Sequence, residues 1–445
     1  MSGWYCQKCG GKLKYANVGL LCDQCGAKYV LKLKKRENVW SWAQPYARPT
    51  EDLFEGISDD AILPDEAYIT EKRNEIIVEL WKKGFTSAKI HSIECGYCAF
   101  RCYIDSGNNG KPDYKCLETL LNALPNDRVY FDRDKKLFCV ETTWKKAFSM
   151  QFGKMFSEAF QGDRDIACDA LEIEFPIGRY ETNEIVMTNF EEIRSLLIGG
   201  APDSGKTMLL HSVLLGVASR YSPAQARFLL IDDKEGGLVC YRGLPHLLTG
   251  DVITDAGQAM RALDWAIGEI GRRDKMLQAC FQPLEWYHRF PAFNERLDAE
   301  SRLPRLIIVI DGYDRLFTKY GAEFIRKTQQ LVGGARQAGV HLIMTTKHPE
   351  NVFGQRDFYF VSTRFVFHTK REQDSVNLTR FAGGEVLYPH GEFLWRDGSN
   401  LLPTRITAAY VDAQQKFQII EYIKTHNEAS FDEKAKKYIA DVVTE

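Results

Sequence analysis

One stretch constrains this chain more than any other: Gly200-Ala201-Pro202-Asp203-Ser204-Gly205-Lys206-Thr207. An apolar run, Ser195–Ile198, leads into it, and a helical pattern, Met208–Ser219, follows. Glycine, lysine and a hydroxyl at this spacing, between a strand and a helix, form a phosphate-binding loop. The glycines let backbone N–H groups turn inward around phosphates, and the helix N-terminus adds a favourable dipole. The expected ligand is ATP. Residues 200–207 would cradle it, Lys206 would reach the β- and γ-phosphates, and the Thr207 hydroxyl would hold Mg²⁺.

The rest of the chain supplies a sheet for such a loop. Phe228–Asp232 and Arg305–Asp311 are apolar runs ending in acids, and two further strands follow at Val340–Thr346 and Arg364–His368. Continuous apolar strands fit a parallel sheet buried on both faces. Asp311, at the end of the second run, occupies the place of a Walker B aspartate and is the second candidate Mg²⁺ ligand. The β-α-β alternation predicts right-handed crossovers. The fold class is α/β: a RecA-like P-loop core with a parallel sheet, preceded by a small α+β domain and an N-terminal zinc ribbon.

The ribbon rests on Cys6-x2-Cys9 and Cys22-x2-Cys25, each pair followed by glycine. Four thiolates on two tight turns suit a structural, tetrahedral Zn²⁺. A second cysteine group, Cys95, Cys98 and Cys102, lies in Ile93–Ile104, which reads as one strand. Residues three apart on a strand face opposite sides, so these cysteines are read as packed hydrophobes. Helices at Glu71–Lys83 and Tyr114–Ala123, with strands at Arg128–Phe131 and Leu137–Thr142, complete a small α+β unit. The expected division is a ribbon at 1–35, a linker at 36–66, the small domain at 67–143, the motor at 144–424 and a helical tail at 425–445. The tail's apolar Phe431, Tyr438, Ile439 and Val442 suggest an amphipathic helix used for packing or subunit contact.

Bulk properties exclude little. The net charge of −2 gives no global attraction to nucleic acid, so a DNA-binding surface would be a local patch. The longest apolar runs, Leu306–Ile310 and Val213–Ala218, are too short to span a membrane. The start lacks a signal-peptide pattern, so no membrane anchor and a cytoplasmic location are expected, with the twelve cysteines reduced.

Several longer stretches together resemble the FtsK/SpoIIIE family of DNA translocases. They are Leu196–Leu210, Leu229–Leu238, Gly243–Thr249 (GLPHLLT), Ile307–Asp311, Ala335–Pro349 (ARQAGVHLIMTTKHP), Ser362–Phe367 and Ala382–Leu394. The resemblance implies an ATPase that self-associates into a ring, usually a hexamer, and acts on double-stranded DNA. Type VII secretion ATPases share this core. The ribbon offers a further surface for DNA or a protein partner. Arg336 matches a family arginine and is a candidate for reaching a neighbouring subunit's γ-phosphate. His341 matches a family histidine and is read as packing.

The sequence departs from that family at three positions. Gly312 stands where a glutamate normally follows the Walker B aspartate, Lys347 where a sensor glutamine stands, and His390 where an arginine stands. A positioned general base contributes about 10²–10⁴ in rate. Asp233, Glu235 and Asp314 are the carboxylates that could compensate. The leading expectation is a DNA translocase-type ATPase. The alternatives are a nucleotide-binding scaffold with little hydrolysis, and a secretion-like or conjugative coupling ATPase.

Overall fold

The structure is a computed structural model. It describes residues 46–54, 66–95, 99–108, 111, 113–124, 127–132, 135–143, 150–160, 172–180, 183–232, 236–280, 289–298, 301–348, 360–396 and 403–440, together with three short strands at 13–16, 19–22 and 28–29.

Those three strands, β1 (Leu13–Ala16), β2 (Gly19–Cys22) and β3 (Lys28–Tyr29), form an antiparallel sheet. Cys22 closes β2, whereas Cys6, Cys9 and Cys25 lie outside the described residues.

A second sheet has the order β4-β5-β7-β6: β4 (Lys89–Cys95), β5 (Ala99–Asp105), β7 (Leu137–Thr143) and β6 (Arg128–Asp132). Helices α1 (Glu66–Lys82) and α2 (Tyr114–Ala123) pack with it around Ile76, Leu80, Phe100, Ile104, Leu120 and Phe138. Asp113 starts α2 by accepting the backbone N–H groups of Lys115 and Cys116, which satisfies two otherwise unpaired donors. The single strand expected over 93–104 is instead two antiparallel strands, with Cys95 opposite Phe100. The residues between them, including Cys98, lie outside the described residues. Cys102, Cys116 and Cys139 are buried, and burial pushes each thiol up to about 12. Thiols held protonated in apolar surroundings behave as small hydrophobes.

The third sheet has nine strands. Five run parallel in the order β11 (Ala226–Ile231), β12 (Arg305–Ile310), β13 (Val340–Thr346), β10 (Ser195–Gly199) and β14 (Thr363–Phe367). Four antiparallel strands continue it: β15 (Glu392–Arg396), β16 (Thr404–Thr407), β8 (Glu174–Tyr180) and β9 (Ile185–Asn189). The sheet is therefore mixed, and the purely parallel expectation holds for its central part.

Both faces of that central part are covered. On one face Leu196, Ile198, Ile307, Val309 and Ile343 share a core with α3 (Phe152–Ala159), α5 (Lys206–Arg220) and α10 (Ala413–His426). On the other, Leu197, Leu306, Ile308, Ile310, Leu342 and Met344 share one with α6 (Ala256–Cys280), α8 (Asp314–Ala335) and α11 (Glu433–Ala440). Side chains alternate across a strand, so every position meets protein, which favours the continuous apolar runs seen in the sequence. Short helices α4 (Phe190–Ile193), α7 (Arg289–Glu295) and α9 (Glu372–Thr379) fill the connections. The tail helix expected from the sequence is α11. It buries Ala435 and Ile439, and the Ile439 carbonyl accepts the Arg261 Nε–H at 2.8 Å.

A buried chain of alternating charges joins the second sheet to the third. Arg101 on β5 donates to Glu141 on β7 at 3.0 Å. Glu141 also accepts from Arg405 on β16, which in turn donates to Glu392 at the start of β15. Each charge but Arg101 is almost wholly excluded from water. Opposite neighbours are what make such burial tolerable.

Candidate nucleotide site

The P-loop is the turn from β10 into α5. Gly205 begins the helix at φ +106°, and a Cβ there would come within 2.9 Å of the Gly391 nitrogen, so only glycine fits. Two neighbouring segments brace the loop. The Ala201 N–H donates to the His368 carbonyl at 2.7 Å, just beyond β14. From the turn before β15, the Gly391 N–H donates to the Ser204 carbonyl at 3.0 Å, and His390 Nδ1 lies 3.2 Å from the Asp203 carbonyl oxygen.

Lys206 is 4% exposed and turns back into the loop. Its Nζ donates to the carbonyls of Gly200 at 2.9 Å and Ala201 at 2.5 Å, and lies 3.3 Å from Ser204 Oγ. Burial, reinforced by the positive charge of Lys347, lowers its pKa to about 8, against the opposing pull of Asp311, Asp314 and Asp203. Two cations brought together in a poorly hydrated turn favour an anion there. One turn further along α5, His211 is buried between the Tyr241 hydroxyl at 3.1 Å and Lys416 Nζ at 3.2 Å. Burial, then Lys416, drives its pKa down to about 3, so it is neutral.

The strand ends opposite carry the acids. β13 lies between β10 and β12, yet Thr207 Oγ1 is 3.3 Å from Asp311 Oδ2. The other oxygen of Asp311 accepts the Thr345 hydroxyl at 2.6 Å, and that hydroxyl accepts the Gly312 N–H at 2.7 Å. A hydroxyl and a carboxylate converging beside a buried lysine are hard oxygen donors that suit Mg²⁺. Asp314 opens α8, accepting the Thr346 hydroxyl at 2.5 Å and the Lys347 N–H at 3.1 Å.

The structure thus brings together Lys206, Thr207, Asp311 and residues 200–205. Asp233 and Glu235 lie outside the described residues, although their flanks reach the site. Asp232 accepts the Leu238 N–H at 3.0 Å, and a Cβ on Gly237 would come within 2.5 Å of Thr207 Cγ2. Arg336 is on the short turn Arg336–Ala338 before β13, at the end of that strand away from the loop. Seven strand residues separate these ends by about 20 Å, so Arg336 belongs to a different edge of the motor. His341 packs on Phe190 and lies 3.2 Å from Arg305, and burial holds it neutral. The braces from His368 and Gly391, and the two threonine hydroxyls, escaped the sequence. Thr345-Thr346 closing an apolar strand was the available signal.

Residues 157–283 match the FtsK/SpoIIIE family model. The chain carries an FtsK/SpoIIIE family domain. Among curated relatives, the DNA translocase FtsK of Lactiplantibacillus plantarum is 29% identical over 262 residues, which is 58% of this chain and 33% of that protein. The DNA translocase FtsK of Treponema pallidum is 27% identical over 287 residues, covering 64% and 35%. The chain thus spans about a third of the length of the relatives it matches. Among solved structures, the pCW3 conjugation coupling protein TcpA, in a monomer form with ATPγS, aligns with TM-score 0.52 and 17% identity over 79% of this chain and 99% of that one. The cytoplasmic domain of the Thermomonospora curvata type VII secretion ATPase EccC gives 0.51 and 20% over 63% and 35%. Both likenesses concern the fold. Among the described residues, no helix is long and apolar enough to cross a membrane, and no cluster of His, Cys, Asp and Glu is arranged to hold a metal ion.

Proposed function

We propose that this FtsK/SpoIIIE family protein binds ATP with Mg²⁺ and hydrolyses it to drive movement along double-stranded DNA. The observation that carries nucleotide binding is the meeting of the Thr207 hydroxyl and the Asp311 carboxylate at 3.3 Å beside the buried Lys206. Thr207 and Asp311 would hold the ion, which screens phosphate charge when bound. Lys206 would exchange its carbonyl partners for phosphate oxygens. The backbone N–H groups of 200–207 orient the phosphates, and the braces on Ala201 and Ser204 keep those groups in place.

Duplex DNA as the substrate rests on the relatives, which are named DNA translocases. Ring assembly, with hexamers as the expected form, follows from the same reading. It gives Arg336 a task that its distance from this chain's own loop otherwise denies it: contacting the γ-phosphate held by a neighbouring copy. Cys6, Cys9, Cys22 and Cys25 would bind one structural zinc ion, and the ribbon so formed would offer a surface to DNA or a protein partner. The location would be cytoplasmic.

The test is phosphate release by the purified chain, with and without duplex DNA, beside binding of labelled duplex across a salt series. Stimulation by DNA, with affinity falling as salt rises, supports the proposal. No DNA binding at low salt sinks its second half. Gly312 favours a second reading, in which the protein binds ATP and turns it over too slowly to move anything. Nucleotide binding without DNA-stimulated turnover would select that reading. Metal analysis should find one zinc per chain.

A further inference from the structure

The missing glutamate at 312 has a structural counterpart two residues on. At 312 the chain turns with φ +80°, a conformation that glycine adopts freely and other residues rarely do. The turn is fixed from β13, because the Thr345 hydroxyl accepts the Gly312 N–H and the Thr345 carbonyl accepts the Tyr313 N–H at 3.0 Å. Its consequence is the placement of Asp314. Thr345 holds Asp311, and the next residue of the strand, Thr346, holds Asp314 at 2.5 Å. The Lys347 N–H fixes the second oxygen of Asp314 at 3.1 Å.

Two carboxylates are therefore pinned at the end of β13 by successive threonines, whose side chains leave the strand on opposite faces. One of them meets Thr207, and the other has no such partner in the P-loop. Among the described residues, three carboxylates act electrostatically on Lys206: Asp311, Asp314 and Asp203. Asp311 is engaged with Thr207, and Asp203 is exposed on the outside of the loop. Asp314 is half-buried, oriented by two donors, and left with lone pairs for a water.

We propose that Asp314 takes over the catalytic carboxylate role that Gly312 cannot fill, orienting the attacking water and accepting its proton. This rests on the hydrolytic reading above. In the step, the water oxygen bonds to the γ-phosphorus as the bond from that phosphorus to the β–γ bridging oxygen breaks. The electron pair leaves with ADP. The water proton passes to Asp314, which then gives it up to the departing phosphate. Thr346 is a positioning residue for that carboxylate.

The experiment measures phosphate release by the full chain, with and without duplex DNA, and binding of ATPγS·Mg by calorimetry. The variants are Asp314→Asn, Asp314→Glu, Thr346→Val and Lys206→Ala. Asn keeps the bond from the Lys347 N–H through its one carbonyl oxygen, turns its NH2 toward Thr346 Oγ1, and removes the base. Its turnover should fall about 100-fold or more, with analogue affinity within a few-fold of the wild type. Asp314→Glu should restore part of the rate, and Thr346→Val should lower kcat while leaving binding intact. Asp314→Asn turning over within threefold of the wild type overturns the inference and leaves hydrolysis standing. Wild-type turnover that does not depend on Lys206 overturns the hydrolytic reading and this inference with it. Should Asp314→Asn fold poorly, Thr346→Val decides, since an unchanged kcat there removes the positioning on which the role depends.

Discussion

The two halves of the nucleotide site are held by different kinds of bond. The phosphate loop is braced by backbone hydrogen bonds from the segments after β14 and before β15, and backed by a buried helix. The end of β12 and β13 also has backbone bonds, but its carboxylates are placed by side chains, the hydroxyls of Thr345 and Thr346. Backbone braces tolerate many side chains, so a phosphate cradle keeps its form while sequences diverge. A hydrolytic carboxylate depends on one atom's position, and there this chain departs from the FtsK/SpoIIIE pattern it resembles. The comparison predicts that damage behind the loop acts on stability and binding, and damage at the strand end acts on rate.

The largest effect should come from the ion chain behind the loop. Glu392 follows directly on the Gly391 that braces Ser204, and its carboxylate also accepts the Tyr388 N–H at 2.6 Å. Arg405→Ala leaves Glu392 and Glu141 facing each other without their shared cation. Breaking a buried ion pair this way costs about 3–5 kcal/mol. A melting midpoint lowered by many degrees, together with weaker ATPγS binding, is the expected result. An unchanged midpoint would show that this brace is dispensable and would erase the asymmetry between the halves.

Lys206→Ala should come next. A hydrogen bond to a charged group contributes about 1.5–3 kcal/mol, so ATP·Mg affinity should fall roughly 10- to 100-fold. Calorimetry is the direct check. Stability should hold or rise, because the folded protein at neutral pH carries a buried ammonium whose proton affinity is already reduced.

Much of this contrast was legible in the sequence, and the limit was geometric. Glycine, lysine and threonine between β10 and α5 announced a loop whose shape depends on local spacing. The apolar runs announced strands buried on both faces, because alternation forces every position to meet a core. The antiparallel extension β15-β16-β8-β9 was hidden, since its strands come from both ends of the motor and pair only through the tertiary fold. The hairpin within 89–105 read as one strand because Cys95 and Phe100 look like one apolar run until they face each other. Gly312 was visible as a substitution. That it turns the chain, and so delivers Asp314 to Thr346, depends on a φ value that no residue pattern displays.

A pH series probes the backing of the loop by a third route. His211 is neutral in the fold, facing the Tyr241 hydroxyl and the Lys416 ammonium, whereas the unfolded chain takes up a proton near the ordinary value of about 6.5. The unfolded state therefore binds more protons below that pH. Stability is fully present above about 6.5 and is lost as pH falls toward 3. Between pH 6.5 and 5 the loss is about 2 kcal/mol for this residue. His246 and His341 shift in the same direction, so the slope should be steep in the wild type and shallower in His211→Phe. A slope unaffected by that change would mean the helix behind the loop is less rigid than its burial implies.

The smallest effect sharpens the comparison most. Gly312→Glu recreates the family's residue at a position whose backbone lies at φ +80°. A side chain in the left-handed region costs roughly 1–2 kcal/mol. The turn then either keeps its shape, with the new carboxylate strained and misdirected, or relaxes and releases the hydrogen bonds that fix Thr345 and Tyr313. In the first case the melting midpoint drops by a few degrees and the rate does not rise. In the second, Asp314 loses its approach to Thr346 and the rate falls. A gain in turnover is the outcome that contradicts the argument, because it would show that the strand end retains the family's geometry and lacks only the carboxylate.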